Sequence, residues 1–394
     1  MIAFTFPGQG SQRPGMGEAW VDHESWELVV EASEYAGADV EALLLTADAD
    51  ELVSTRNAQL ATFVLSLVVL DAIERTGVEP ARVAGHSLGE YTALVASGAL
   101  SFEDGVRLVN ERGAAMLAAA EERHGSMAAV LGLDDDKVAA ACESTSGDVW
   151  VANFNAPGQV VIAGDPAAIE SAGAAAKELG AKRVMGFPVG GAFHTPFMAP
   201  ARERLAKALA TIEWRAPEIP VHANVDARAH DDPSDWPDLL ASQLTSPVHW
   251  RQTLHRFDDA GVNTIVEVGP GGVLTGMAKR TLKGARTLSV ASPDDLDSLL
   301  ESLASTPAST QVDTGHHDGE HLFATERMVV SPAAGVFTPS DDLTMGTVIE
   351  PGHVLGLVGS EEVRSPFGGS LMGWLAVEGE RVATSQPIAW LRSL

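Results

Sequence analysis

The chain has 394 residues, of which 45% are hydrophobic and 20% charged, the balance of an ordinary globular protein with two or three domains. Its formal net charge of −28 argues against nucleic acid and anionic membranes as partners. Cys142 is the only cysteine, which excludes an intrachain disulfide and a cysteine-based zinc site. The first apolar run, Ile2–Phe6, is too short for a signal peptide, and the longest, within Ala61–Leu70, is too short for a membrane span. We therefore expect a cytoplasmic protein.

The first hundred or so residues predict strands that alternate with helices. Ile2–Phe6 is a strand followed by the loop PGQGSQ, helical patterns cover Trp26–Ala36 and Gln59–Thr76, and another helix is expected over Phe102–Arg123. This alternation predicts a parallel sheet covered on both faces.

Residues 125–189 follow a tighter rhythm. The patterns predict β-α-β-β-α-β, the order of a ferredoxin-like unit, which we interpret as a small subdomain inserted into the larger one. The predicted elements are Ser126–Leu131, Asp135–Glu143, Val149–Asn153, Gln159–Ala163, Pro166–Leu179 and Lys182–Phe187.

The remainder of the chain returns to the large subdomain and then changes character. A buried strand is expected at Thr264–Val268, and the first domain is expected to span residues 1–303. Residues 304–321 have the composition of a linker, and we interpret their histidines as part of a solvated tether and not as a metal site. From residue 322 to 394 the pattern is all β, with a weak repeat in which SPAAGVF matches SPFGGSL and VIEPGHVLG matches AVEGERVAT. Such a repeat is typical of a small barrel or sandwich.

The segment Gly85-His86-Ser87-Leu88-Gly89 carries the main chemical signal. It fits G-x-S-x-G, the sharp strand-to-helix turn that lifts a serine out of a sheet, with glycines where side chains would collide. Ser87 would then lie at a helix N-terminus, where free N–H groups favour a developing oxyanion. Alone, the motif is a weak indication, because it also occurs in glycine- and serine-rich loops.

The combination of motifs is more specific than any one of them. PGQGSQ, GHSLGEY, ERGAAM, NFNAPGQVVIAG, GAFH and EVGPGGVLTGM occur in this order. Together they resemble the malonyl-CoA:acyl carrier protein transacylases of fatty acid synthesis, over residues 1 to about 303. The resemblance implies an α/β-hydrolase-like large subdomain with a ferredoxin-like small one. It also implies malonyl-CoA as substrate and acyl carrier protein as partner, in fatty acid or polyketide synthesis.

The resemblance also implies roles for individual residues. Ser87 is expected to be the nucleophile and His194 its general base, with the backbone carbonyl of Gln243 orienting the histidine in place of a carboxylate. The backbone N–H groups of Gln9 and Leu88 are expected to form the oxyanion hole, where each donor is typically worth about 3 kcal/mol.

Two further residues bear on the choice of substrate. Arg112 matches the arginine that pairs with the malonyl carboxylate, a task suited to the two parallel hydrogen bonds of a guanidinium. Phe193 matches a position where phenylalanine accompanies malonyl and serine accompanies methylmalonyl, because the ring leaves little room for an α-methyl branch.

The C-terminal region weakly resembles a biotinyl/lipoyl-type barrel-sandwich. Such domains carry their cofactor on a lysine at a hairpin tip, which here would lie near Leu357–Val363. That segment lacks lysine, and the last lysine of the chain is Lys283. We therefore expect a degenerate module for docking or assembly, with a protein partner and no covalently bound cofactor.

Two alternatives to malonyl transfer remain open from the sequence. A serine hydrolase or thioesterase on a similar fold would share the serine elbow, although Arg112 and the lack of an acidic triad partner argue against it. A binding scaffold, whose C-terminal module holds a partner protein, could coexist with transferase activity.

Overall fold

The structure, a computed structural model, describes residues 1–187, 189–304, 326–340, 343–377, 379–382 and 387–392. The predicted linker, residues 304–321, lies outside the described residues except for its first position.

The large subdomain is built on a six-stranded sheet with the order β10-β9-β1-β2-β7-β8. Neighbouring strands are parallel from β10 to β7, and β8 is antiparallel to β7, which agrees with the predicted parallel sheet. The strands are β1 Ile2–Phe6, β2 Arg82–Gly85, β7 Val221–His222, β8 Ala229–His230, β9 Thr264–Val268 and β10 Arg286–Val290.

Helices connect and cover these strands. They are α1 Glu27–Ala36, α2 Val40–Leu45, α3 Ala49–Val53, α4 Thr55–Glu74, α5 Gly89–Ala96, α6 Phe102–Glu122, α9 Ala199–Leu209, α10 Trp236–Gln243, α11 Trp250–Asp259, α12 Val273–Thr281 and α13 Asp294–Ala304. Helix α4 begins four residues before the predicted start. Helices α2, α3, α10, α12 and α13 and strands β8 and β10 were not predicted. Most of them are too short or too polar to show a clear period, whereas the regularly spaced leucines of α13 were overlooked.

Helix α4 differs from the expectation that no segment is long enough to span a membrane. The helix has 20 residues and contains an 18-residue stretch with a mean hydropathy of 1.4, so by length and composition it could cross a membrane. However, 89% of that stretch is buried inside the protein. It is therefore apolar on nearly all sides because it is a core helix.

The small subdomain has the predicted β-α-β-β-α-β order. Its elements are β3 Ser126–Leu131, α7 Asp135–Glu143, β4 Val149–Ala156, β5 Gln159–Gly164, α8 Pro166–Glu178 and β6 Arg183–Gly186. The sheet order is β4-β5-β3-β6, and all neighbours are antiparallel. Strand β4 is three residues longer than predicted, and its amide of Phe154 donates to the carbonyl of Val248 at 2.9 Å, which joins the small sheet to the large subdomain.

Within its described residues, the C-terminal region forms two four-stranded antiparallel sheets. Their orders are β11-β18-β16-β13 and β15-β14-β12-β17. The strands are β11 Glu326–Val330, β12 Gly335–Pro339, β13 Val348–Ile349, β14 Val354–Val358, β15 Glu361–Arg364, β16 Gly369–Trp374, β17 Arg381–Val382 and β18 Pro387–Arg392.

The two C-terminal sheets are related by the sequence repeat. Strands β11 to β14 correspond in order to β15 to β18. Exchanging each strand for its counterpart converts the strand order of the first sheet into that of the second. The buried hydroxyls of Ser331 and Ser365 occupy matching places and donate to the carbonyls of Ala333 at 2.6 Å and Phe367 at 2.7 Å. The match of SPAAGVF to SPFGGSL therefore corresponds to two structurally equivalent halves. The second match is wrong, because it aligns Val348 with Ala376, whereas the structure matches β13, which begins at Val348, with β17, which begins at Arg381.

Candidate active site

A cavity of about 490 Å³ lies between the two subdomains of the N-terminal domain. The loop after β1 and the turn after β2 both reach it, because Phe6 pairs with Gly85 and the two parallel strands end at the same edge of the sheet. The lining includes Gly8, Gln9, His86, Ser87, Arg112, Phe193 and His194 from the large subdomain side and Met127, Asn153, Asn155, Gln159 and Val161 from the small sheet.

Ser87 occupies the predicted turn between β2 and α5. Its backbone has a φ of 52°, which is in the left-handed region that non-glycine residues rarely adopt. A Cβ on Gly85 would lie 1.8 Å from the carbonyl of Gly89, and a Cβ on Gly89 would lie 2.1 Å from the carbonyl of Phe6. The glycines therefore allow the close packing that places the serine hydroxyl in the cavity.

Ser87 and His194 are brought together across 107 residues of sequence. Ser87 Oγ lies 2.8 Å from His194 Nε2, and His194 Nδ1 lies 2.8 Å from the backbone oxygen of Gln243. A carbonyl oxygen can only accept, so Nδ1 carries the proton and Nε2 is left to accept from the serine hydroxyl. The arrangement leaves His194 in the tautomer that a general base requires.

Burial keeps the His194 imidazole neutral. The pKa of His194 is lowered to about 3, chiefly by burial, while the hydrogen bond to Gln243 opposes this change and the charge of Arg112 adds to it. The ring is therefore uncharged and able to accept a proton throughout the neutral pH range.

Arg112 lies in α6 and is 1% exposed. Its Nη2 donates to Ser87 Oγ at 3.0 Å and to Gln243 Oε1 at 2.9 Å, and its Nη1 donates to Gln59 Oε1 at 2.5 Å. These partners are all neutral, and within the described part of the chain no carboxylate forms a salt bridge with this guanidinium. A buried cation whose direct hydrogen-bond partners are all neutral can bind an anionic group that enters the cavity.

Gln9, Leu88 and Phe193 also lie around the serine. Leu88 precedes α5 and directly follows Ser87, and Gln9 lines the cavity. Among the described residues, the backbone N–H of neither makes a hydrogen bond within the protein. The Phe193 ring is 7% exposed and lines the same cavity. The seven residues singled out from the sequence therefore meet at one place.

The structure adds residues that sequence reasoning missed. Asn224 Oδ1 accepts from the amide of Ser87, and its Nδ2 donates to the carbonyl of Gly85, both at 2.7 Å, so its side chain spans the elbow. Glu90 is buried and accepts from the amide of Asn224. Asn155 Oδ1 lies 2.8 Å from His86 Nε2. Glu90 and Asn155 fall inside motifs already noted, whereas nothing in the sequence around Asn224 marks it.

Metal ligation finds no support in the described residues. No cluster of three or more His, Cys, Asp or Glu side chains suited to a metal occurs there. His316, His317 and His321, the histidines of the predicted linker, lie outside the described residues.

A serine on a strand-to-helix turn, hydrogen-bonded to a neutral histidine, is the arrangement of serine-dependent acyl-transfer enzymes. Comparison with known proteins agrees with that class. Residues 3–299 match the acyl transferase domain family.

The chain is also similar to individual proteins of known name. It is 42% identical to the malonyl CoA-acyl carrier protein transacylase of Escherichia coli K12 and 39% identical to that of Bacillus subtilis, each over 307 residues, or 76–77% of this chain and 97–99% of the relative. Among solved structures, the acyl-carrier-protein S-malonyltransferase of Burkholderia pseudomallei is 43% identical, with a TM-score of 0.74, and aligns with 76% of this chain and 99% of its own. A malonyl-transacylase in complex with its type II polyketide synthase acyl-carrier protein gives a TM-score of 0.74 at 37% identity, over 76% of this chain and 99% of its own.

The chain therefore belongs to the acyl transferase family, within the malonyl CoA-acyl carrier protein transacylases. The family match ends at residue 299, so it does not include the two C-terminal sheets.

Proposed function

We propose that this protein transfers the malonyl group of malonyl-CoA to the phosphopantetheine thiol of an acyl carrier protein, through a malonyl ester on Ser87. The product supplies fatty acid or polyketide synthesis. Relatives of about 40% identity that carry the name of this activity support the proposal.

The observation that carries the proposal is the environment of Arg112. Its direct hydrogen-bond partners are neutral, and it lines the same cavity as Ser87 and His194. The nearby carboxyl group of Glu90 acts on its charge without bonding to it. An acyl group ending in a carboxylate would compensate this charge, whereas an acetyl group would not. A simple esterase or thioesterase has no need of a buried cation beside its serine.

The chemistry proceeds in two equivalent halves. The serine Oγ attacks the malonyl thioester carbonyl while His194 Nε2 takes the hydroxyl proton. The N–H groups of Gln9 and Leu88 stabilise the tetrahedral oxyanion. The C–S bond then breaks, and the coenzyme A sulfur leaves with the proton from His194. In the second half the carrier thiol gives its proton to His194 and displaces Ser87 from the ester, and the serine regains that proton.

Phe193 is proposed to restrict the acyl group to malonyl. Its ring lines the cavity and would collide with a methyl branch on the α-carbon. Every group that the proposed steps need is a protein side chain or backbone amide, so we propose no cofactor besides the substrate malonyl-CoA. We also propose a cytoplasmic location, where coenzyme A thioesters are available.

The C-terminal β region is proposed to be a biotinyl/lipoyl-like module that has lost its attachment site. Support comes from its two four-stranded sheets with matching strand order. The hairpin of the fourth and fifth strands turns at Gly359 and Ser360, and no lysine follows Lys283. The proposed role is to hold a partner protein.

The test is the intact mass of the protein after brief mixing with malonyl-CoA. The wild type should gain one malonyl group, which peptide mapping should locate on Ser87. Ser87→Ala should gain none, and addition of holo acyl carrier protein should remove the group from the wild type. Rapid release of free malonate without a carrier would instead indicate a hydrolase.

A further inference from the structure

Glu90 is a buried carboxyl group directly behind the serine and histidine. It lies in the first turn of α5 and is 1% exposed. Its Oε1 accepts from the amide of Asn224 at 2.9 Å, and its Oε2 accepts from Nε2 of Gln243. Because both oxygens accept hydrogen bonds, the contacts suit a carboxylate.

Gln243 links Glu90 to the reacting groups through further hydrogen bonds. Its Nε2 also donates to the carbonyl of Ser87 at 2.8 Å, its Oε1 accepts from Arg112 at 2.9 Å, and its backbone oxygen accepts from His194 at 2.8 Å. The side-chain amide has one donor end and one acceptor end, and only one orientation satisfies every neighbour.

We propose that Glu90 is a positioning residue that fixes the orientation of the Gln243 amide, and thereby holds Arg112 and His194 in place for malonyl transfer. The inference rests on the proposed function, because malonyl is the substrate through which the position of Arg112 becomes measurable. Ordinary serine hydrolases place an acid against the histidine. Here the acid lies one residue further away, against the glutamine that contacts both the histidine and the arginine.

The environment of Glu90 shows that the carboxyl group is retained at a cost. Burial raises its pKa to about 7, and the hydrogen bonds from Asn224 and Gln243 and the charge of Arg112 offset only part of that change. A group that served packing alone would be less costly as a neutral side chain.

Glu90→Gln tests the proposal with almost no change in shape. The new amide places an NH₂ group against either the Asn224 amide or the Gln243 amide, both of which are donors. The contact is relieved if Gln243 turns over, which directs its own NH₂ at Arg112. We expect the ratio of kcat/KM for malonyl-CoA over acetyl-CoA to fall at least tenfold, because Arg112 is displaced.

Glu267→Gln is the matched control. Glu267 is equally buried and also accepts two hydrogen bonds, from the amides of Gly272 and Thr275, but it contacts neither Gln243 nor Arg112. This variant should lower Tm and leave the malonyl-to-acetyl ratio within about twofold of the wild type. If Glu90→Gln lowers both activities in parallel and keeps the ratio, Glu90 only stabilises the fold and the proposal is wrong.

A double-mutant comparison separates this proposal from the function itself. In an Arg112→Ala background, Glu90→Gln should have little further effect on the ratio, since the route passes through Arg112. If Glu90→Gln lowers the ratio in this background as much as in the wild type, Glu90 does not act through Arg112 and the proposal is wrong. Should Glu90→Gln not fold, Glu90→Asp, which keeps the charge but withdraws it by one methylene, is measured in the same way, and an unchanged ratio overturns the proposal. The wild-type malonyl adduct on Ser87 is an independent check, so a failure of the proposed function is recognised separately.

Discussion

The N-terminal domain and the C-terminal β region bury polar groups in different ways. In the N-terminal domain Arg112, His194 and Gln243 are buried and contact one another from distant parts of the chain; the bond from Arg112 to Gln243 spans 131 residues. In the described part of the C-terminal region, the buried polar residues are Ser331 and Ser365, and each bonds to a carbonyl two residues away.

This difference separates a chemical site from a structural feature. A hydroxyl that bonds to its own turn satisfies itself locally and gives the turn its shape. Buried ionisable groups that meet across a cavity are costly, and they persist where they bind or transform a ligand. The contrast accounts for an N-terminal domain with an active site and a C-terminal region whose proposed role is binding.

The largest expected effect concerns the protonation of His194. Burial lowers the pKa of His194 from its ordinary value of 6.5 to about 3, which reduces its affinity for a proton roughly 3000-fold. In NMR spectra of histidine-labelled protein, the His194 signal is the one that the His194→Asn variant lacks. This signal should remain that of a neutral ring from pH 8 down to pH 4.5. Titration of this signal near pH 6.5 would show that burial does not control the pKa of His194.

Arg112→Ala should reduce the preference for a charged acyl group over an uncharged one. Loss of a buried charge-assisted contact of about 3 kcal/mol corresponds to roughly 100-fold in kcat/KM for malonyl-CoA. Acetyl transfer, measured on the same preparation, should fall by much less. If both activities fall equally, Arg112 is needed for structure and not for recognition of the carboxylate.

Phe193→Ser should produce an intermediate effect. Removal of the ring opens space beside the α-carbon, and a single methyl group in a pocket is worth about tenfold in discrimination. We expect kcat/KM for methylmalonyl-CoA, relative to malonyl-CoA, to rise by about that factor. An unchanged ratio in competition assays would refute the steric explanation.

Removal of the C-terminal β region should have the smallest effect on chemistry. A variant truncated after Leu303 retains Ser87, His194, Arg112 and Gln243, and we expect malonyl transfer within about twofold of the full-length rate. The full-length protein, expressed with biotin, lipoate and their ligases, should gain no cofactor mass. A loss of transferase activity on truncation would contradict the prediction that the C-terminal region is independent of the active site.

The sequence predicted the elements best where local pattern decides them. The bounds of Ile2–Phe6, Ser126–Leu131, Asp135–Glu143 and Thr264–Val268 agree with the structure, because alternating or helical periodicity is strong there. The start of α4 was placed too late, since its first turn is polar and resembles a loop. The match of SPAAGVF to SPFGGSL in the C-terminal region was also visible, although only the structure relates the order of its two sheets.

The sequence by itself determined which residues could do chemistry. The glycines around Ser87 require a sharp turn, and the order of the motifs identifies the family without reference to coordinates. Tertiary structure alone decided how these residues are held. Glu90 bonds to the side chain of Gln243, 153 residues away. Asn224 bonds to the backbone of the strand-to-helix turn at Ser87, 137 residues before it. Such contacts depend on packing of the whole sheet and its helices, and no local pattern along the chain records them.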